Sequence, residues 1–105
     1  MAEYFIKNSP HRQPTHPGAI LREDVLPAMG ISVSEFARRI GVSRQMLHRI
    51  LAESHGITPE TALRVGEFVG NGPDLWLRMQ QDYDLWQARR AMKPALDRIR
   101  RNKAA

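Results

Sequence analysis

Apolar residues recur at spacings of three and four from about residue 17 to residue 93, and no stretch alternates long enough to make a convincing strand. The pattern predicts an all-α chain. A first helix should begin near Pro17, a residue tolerated in a first turn, with Ile20, Leu21 and Val25 inward and Glu23 and Asp24 outward. Pro27 is expected to end it early, Met29 and Gly30 closing the turn. The second helix carries full start signals. Ser32 is a good N-cap, Glu35 stands three residues on to complete a capping box, and Ile31 can staple onto Phe36. Phe36, Ala37 and Ile40 then face inward, Arg38 and Arg39 outward, and Gly41 follows as a residue able to take positive φ.

A third helix begins almost at once, capped by Ser43, with Val42 packing on Leu47 across the cap and Leu47, Ile50 and Leu51 as its buried stripe. Residues 53–57 form a loop. Thr58 caps a fourth helix with Pro59 in its first position, Ala62, Val65, Gly66 and Val69 inward, and Gly70 at its end. A long fifth helix starts from about Pro73. Pro94 breaks its pattern, and the segment beyond reads either as a frayed basic helix or as disordered chain. Residues 1–16 show no period and contain Pro10 and Pro14, which reads as a flexible arm that Tyr4, Phe5 and Ile6 could pin to the body. His11, Arg12 and His16 fall in that arm as solvated side chains, with contact to DNA or a partner the alternative. The expected organisation is an arm over 1–16, one domain over 17–93 and a basic tail over 94–105.

A chain of 105 residues that is 42% hydrophobic can bury one modest core. It has no cysteine, so disulfides, thiolate zinc sites and cysteine nucleophiles are excluded. No apolar run is long enough for a bilayer and the first ten residues lack a signal pattern, so a soluble, cytoplasmic protein is expected. The formal net charge is +5, and its placement matters more than its sum. Four arginines and no acidic residue lie between Phe36 and Ala52, and Arg89 to Lys103 is the other basic concentration. Positive charge gathered on a small domain suggests a polyanionic partner. The tail is compatible with added phosphate contacts or with a plain solvated end.

The stretch from Ile31 to Leu51 has the parts of a helix-turn-helix. Ala37 is the small residue where the helices meet, Gly41 the turn, and Phe36, Ile40, Val42, Leu47 and Ile50 the anchors. That leaves Ser43, Arg44, Gln45, His48 and Arg49 on the outer face of the second helix. Arginine can bond guanine bidentately and glutamine can bond adenine, while Ser43 and His48 suit a base or a phosphate. Arg44 lies in a first turn, where the helix dipole disfavours a cation by a few tenths to about 1 kcal/mol. A phosphate or guanine contact would account for it there; the plainer reading is that an exposed, screened arginine costs almost nothing. Ser34 and Arg39 are the expected phosphate contacts.

From His16 to about Trp86, the landmarks HPGAILRED, GVSRQ, GITPETALR, LWLRMQ and YDLW fall in the order seen in the HigA-type antitoxins of the XRE/Cro-like regulators, and the chain resembles that family. The resemblance implies a five-helix, lambda-repressor-like DNA-binding domain that dimerises on double-stranded operator DNA and represses its own operon. It also implies a toxin protein encoded next to it, an RelE-like mRNA endonuclease that the antitoxin neutralises. Two positions depart from the family pattern. Val33 stands where a phosphate-bonding glutamine is often found, which moves that contact to Ser34 or elsewhere. Gly72 stands where a serine or threonine cap is expected before Pro73.

Paired half-sites require a homodimer. Trp76, Met79, Tyr83 and Trp86 fall at i, i+3, i+7 and i+10, a stripe suited either to a dimer interface or to the domain's own core. An enzyme is the competing class, but the four histidines form no HExxH pair or other ligand cluster, and no glycine loop follows a strand. No catalytic residue, cofactor or metal is expected. A stand-alone repressor without a toxin, or a protein-interaction module with DNA binding secondary, are the remaining alternatives.

Overall fold

The computed structural model describes residues 12–104, and every regular element among them is helical. Tyr4, Phe5, Ile6 and His11 of the expected arm lie outside the described residues. Helix α1 is built from Pro17–Ile20, a π turn over Leu21–Val25 and Leu26–Met29. Helices α2 (Val33–Ile40), α3 (Arg44–Leu51), α4 (Pro59–Val69), α5 (Asp74–Ala91) and α6 (Lys93–Ala104) follow.

Pro27 does not end α1. The chain widens into a π turn in which the Leu26 amide reaches back to the Leu21 carbonyl, and the helix continues over Pro27 to a left-handed Gly30. Proline has no N–H to place in an α-helical ladder and its ring crowds the carbonyl four residues back, so one wide turn absorbs the misfit. The segment beyond Pro94 is likewise a helix, because Pro94 occupies the second position of α6, where a missing N–H leaves no hydrogen bond unmade. Among the described residues five helices span 17–91, as expected, and the basic segment beyond them takes the helical of its two expected forms.

The core gathers one face from each of α1 to α5. Leu21, Phe36, Leu47, Ile50, Ala62, Val65 and Trp76 are at most 1% exposed. Phe36 lies at 5.6 Å from Phe68, ring centre to ring centre. Ile31, Val42 and Val69 pack at the edge of the same cluster, consistent with their expected roles at helix ends. Trp76 and Met79 are taken up by this core at 1% and 2% exposure, so of the two places open to this part of the stripe they occupy the domain's own core. The Trp76 indole N–H donates to the Asn71 side-chain oxygen at 3.0 Å, so even its polar atom is satisfied within the chain.

The last residues of the expected arm are also packed. Pro14 and His16 are buried, and His16 is the N-cap of α1, its Nδ1 accepting from the Gly18 amide at 2.9 Å. Its ring meets Tyr83 edge-on at 4.8 Å. A histidine directly before the helix-starting Pro17 was the available signal for this role.

Candidate nucleic-acid interface

Two left-handed glycines and two serine caps shape the pair α2–α3. Ser32 Oγ accepts from the Glu35 amide at 3.1 Å and Ser43 Oγ from the Met46 amide at 3.0 Å. Gly41 sits at φ 78°, a conformation that costs other residues about 1 kcal/mol or more, and the Gly41 and Val42 amides both close onto the Ala37 carbonyl. The turn between the helices is therefore short, with both of these amides hydrogen-bonded. From α4, Arg64 Nη1 adds a bond to the Ile40 carbonyl at 2.9 Å.

The reciprocal half of the Ser32–Glu35 capping box is replaced by ion pairs. The Glu35 carboxylate bonds Arg38 Nε at 3.2 Å, Arg38 Nη2, and Arg39 Nε at 2.5 Å. The guanidinium groups of Arg38 and then Arg39 hold its carboxyl down at about 2. Arg39 also lies 6.0 Å above the Phe68 ring, so the guanidinium expected to meet a phosphate is pre-placed by two neighbours. Ser34 is exposed on the first turn of α2, whereas Val33 packs partly against the core.

Ser43, Arg44, Gln45, His48 and Arg49 all lie exposed along the outer side of α3. Among the described residues, Arg44, Gln45, His48 and Arg49 make no side-chain hydrogen bond or ion pair, which leaves their donors available to a ligand. Ser43 Oγ is used as the cap acceptor, and its hydrogen remains to be donated. No acidic side chain interrupts the α3 surface. The inner side of the helix is fixed by Leu47, Ile50 and Leu51, each under 7% exposed.

Several positioning residues were not foreseen. Gly18 on α1 lies so close to α3 that a Cβ there would stand 1.8 Å from the Ile50 carbonyl oxygen. Arg22 Nη1 donates to the Leu51 carbonyl at 2.5 Å and to Glu53 at 3.3 Å, closing the end of α3, where Glu53 itself takes φ 64°. Gln80, buried on α5, accepts from the Ile57 amide at 2.9 Å and donates to Asp84 at 2.9 Å, tying the loop after α3 to α5. Gly72 is not the cap of α5, whose N-cap is Pro73. It sits at φ 76°, and its carbonyl carbon would be 2.3 Å from a Cβ on Gly66, so the turn needs glycine at both places.

A helix-turn-helix family model matches residues 21–76 of the chain. Virulence-associated protein I of Dichelobacter nodosus is 44% identical over 73 residues, 70% of this chain and 68% of that protein. Antitoxin HigA-1 of Vibrio cholerae is 31% identical over 78 residues, 74% of this chain and 73% of that one. Among solved structures, the Pseudomonas aeruginosa antitoxin HigA with the higBA promoter superposes with a TM-score of 0.76 at 32% identity, covering 81% of this chain and 92% of that one.

Proposed function

The chain belongs to the helix-turn-helix family, and from that premise we propose that it is a sequence-specific operator-binding repressor and the antitoxin of a toxin–antitoxin pair. The observation that carries this reading is the outer side of α3. Arg44, Gln45, His48 and Arg49 stand exposed, without partners among the described residues and without a carboxylate among them, on a helix held rigidly from behind.

In this reading α3 enters the major groove. Arg44 and Arg49 donate to guanine edges, Gln45 to adenine, and Ser43 and His48 to a base or a phosphate. Ser34 and Arg39 clamp the phosphate backbone beside it and set the register. Two copies occupy half-sites one helical turn apart and occlude the promoter of their own operon. In this reading the toxin partner is an RelE-like endonuclease encoded next to the gene, and no catalytic step, cofactor or metal is assigned to this chain. No helix among the described residues is long and apolar enough to cross a membrane, and the site of action we propose is the cytoplasm.

Support also comes from the relatives. The Pseudomonas aeruginosa protein was solved with its promoter, and the Vibrio cholerae relative is named an antitoxin. The reading is tested by co-expressing the chain with the neighbouring gene, purifying the complex and footprinting the shared promoter. Co-purification with a protected palindrome supports it. A protected palindrome without a bound neighbour reduces the function to a stand-alone repressor, and no protection at all overturns it.

A further inference from the structure

Helix α6 rests mainly on α5. Ala95, Leu96 and Asp97 are half-buried there, whereas Lys93 and the stretch from Arg98 to Lys103 are exposed. Five cations, Lys93, Arg98, Arg100, Arg101 and Lys103, share this helix with the single acid Asp97. That carboxylate is already committed to Lys93 at 3.3 Å and to Arg100 at 3.0 Å. Among the described residues no hydrogen bond or ion pair engages Arg98 or Arg101. Standing three positions apart, they fall on one side of the helix, turned away from the half-buried Leu96, so both guanidinium groups face solvent together. Like charges this close repel, and the one carboxylate on the helix is taken by two other cations.

We propose that Arg98 and Arg101 bind the phosphate backbone of duplex DNA beside the half-site read by α3, as a second contact that is independent of sequence. The inference rests on the operator-binding reading for its partner, but the contact is to backbone and is measurable on any duplex. The chemistry fits. A planar guanidinium can bond a phosphate through two parallel N–H donors, and two of them on one side of a helix make a short basic track. The reach is also sufficient. Gln80 of α5 is bonded to the Ile57 amide, in the loop that follows α3. At about 1.5 Å per helical residue, with one extended step at Met92, Arg98 lies no more than about 30 Å from that bond. One turn of duplex is about 34 Å, so backbone flanking the half-site is within range of α6. A membrane surface fits less well. A helix lying on lipid needs a broad apolar side, commonly with aromatic residues. Helix α6 has no aromatic residue, and with Leu96 half-buried, Ile99 is the one large hydrophobic it exposes.

Titration of the full chain with operator and with a scrambled duplex of equal length, over a series of salt concentrations, tests this contact. Each phosphate contact contributes about 0.9 to the salt slope, so Arg98→Gln with Arg101→Gln should flatten it by about 1.8 per bound copy on both duplexes. Between about 50 and 200 mM salt the parent should then lose roughly tenfold more affinity than this variant. Arg98→Lys with Arg101→Lys keeps the charges and should keep most of the slope. Arg78→Gln with Arg89→Gln removes the same charge from α5 and should flatten the slope much less. Circular dichroism checks that helix content is retained. Preference for operator over scrambled duplex belongs to α3, so a parent without that preference refutes the reading helix and leaves this contact still measurable on either duplex. A slope unchanged by Arg98→Gln with Arg101→Gln overturns the proposal. So does equal flattening by the α5 pair, which would reduce the effect to net charge. An unchanged slope together with lost binding to vesicles of anionic phospholipid would assign the face to a membrane surface instead.

Discussion

Arg64 of α4 holds the carbonyl of Ile40 at 2.9 Å, so the last residue of α2 is bonded by a side chain from two helices further on. A cation at a helix C-terminus also complements the negative end of the dipole. Replacing Arg64 by methionine keeps the aliphatic stem and removes the donor. The expected loss is about 1 kcal/mol, seen as a lower urea midpoint, with faster amide exchange at Gly41 and Val42. Unchanged exchange at those two amides would mean that Arg64 does not hold the turn.

Gly18 and Gly30 make a paired test of how α1 seats α3. A methyl at Gly18 would enter the Ile50 carbonyl, and Gly18→Ala should cost about 3 kcal/mol. Gly30 has open space around it and only a positive φ of 66° to defend, so Gly30→Ala should cost about 1 kcal/mol. Equal costs in chemical denaturation would show that the α1–α3 contact is loose.

His16 predicts a pH dependence. Burial lowers its pKa below the ordinary 6.5, outweighing the opposing pull of Glu53 and Asp84, and its Nδ1 must stay unprotonated to accept from Gly18. The unfolded chain therefore binds this proton more readily than the folded one. Its contribution to stability is complete above pH 6.5 and is lost as pH falls from there through the lower folded value. His16→Asn keeps a cap acceptor without the titration. Urea midpoints at pH 7.5 and 5.5 should differ less for this variant than for the parent, and an equal difference would remove His16 as the cause.

Glu35 titrates in the opposite register. Its carboxyl, held at about 2 by Arg38 and Arg39, keeps those pairs through the ordinary carboxylate range and releases them only as pH falls towards 2. Carboxyl-carbon NMR should place its midpoint near 2, and a midpoint at the usual 4.5 would show that the pairs do not form in solution. On the proposal that Arg39 meets a phosphate and must leave Glu35 to do so, Glu35→Gln should tighten operator binding by about threefold, in line with the small worth of exposed pairs; weaker binding would mean that Glu35 instead holds Arg39 in place for the phosphate.

Local signals were legible where the physics is local. Ser32, Ser43 and Thr58 cap as their spacing implied, and Gly41 and Gly70 take positive φ at the ends of their helices. The outward side of α3 also followed directly from its period. What the chain alone did not reveal depends on which distant element meets a residue. The stripe from Trp76 to Trp86 has one helical period, yet it divides between the core, where Trp76 and Met79 are buried, and the surface, where Arg90 stacks 4.6 Å above Trp86. Tyr83 falls between these, against a histidine contributed by the opposite end of the domain. Arg64, Gln80 and Gly18 are invisible for the same reason. Pro27 misled because a proline excludes one hydrogen bond and a wide turn can supply a place without it, whereas Pro94 does mark a break, in the first turn of a fresh helix.

The central claim is that α3 reads bases through Arg44 and Arg49. Gel-shift titration of the operator with Arg44→Ala and Arg49→Ala, at fixed salt and with helix content checked by circular dichroism, tests it most directly. Each substitution should weaken binding by about 1–3 kcal/mol and relax discrimination at the base pair it contacts. Parental affinity in both variants, with helix content intact, would contradict the account.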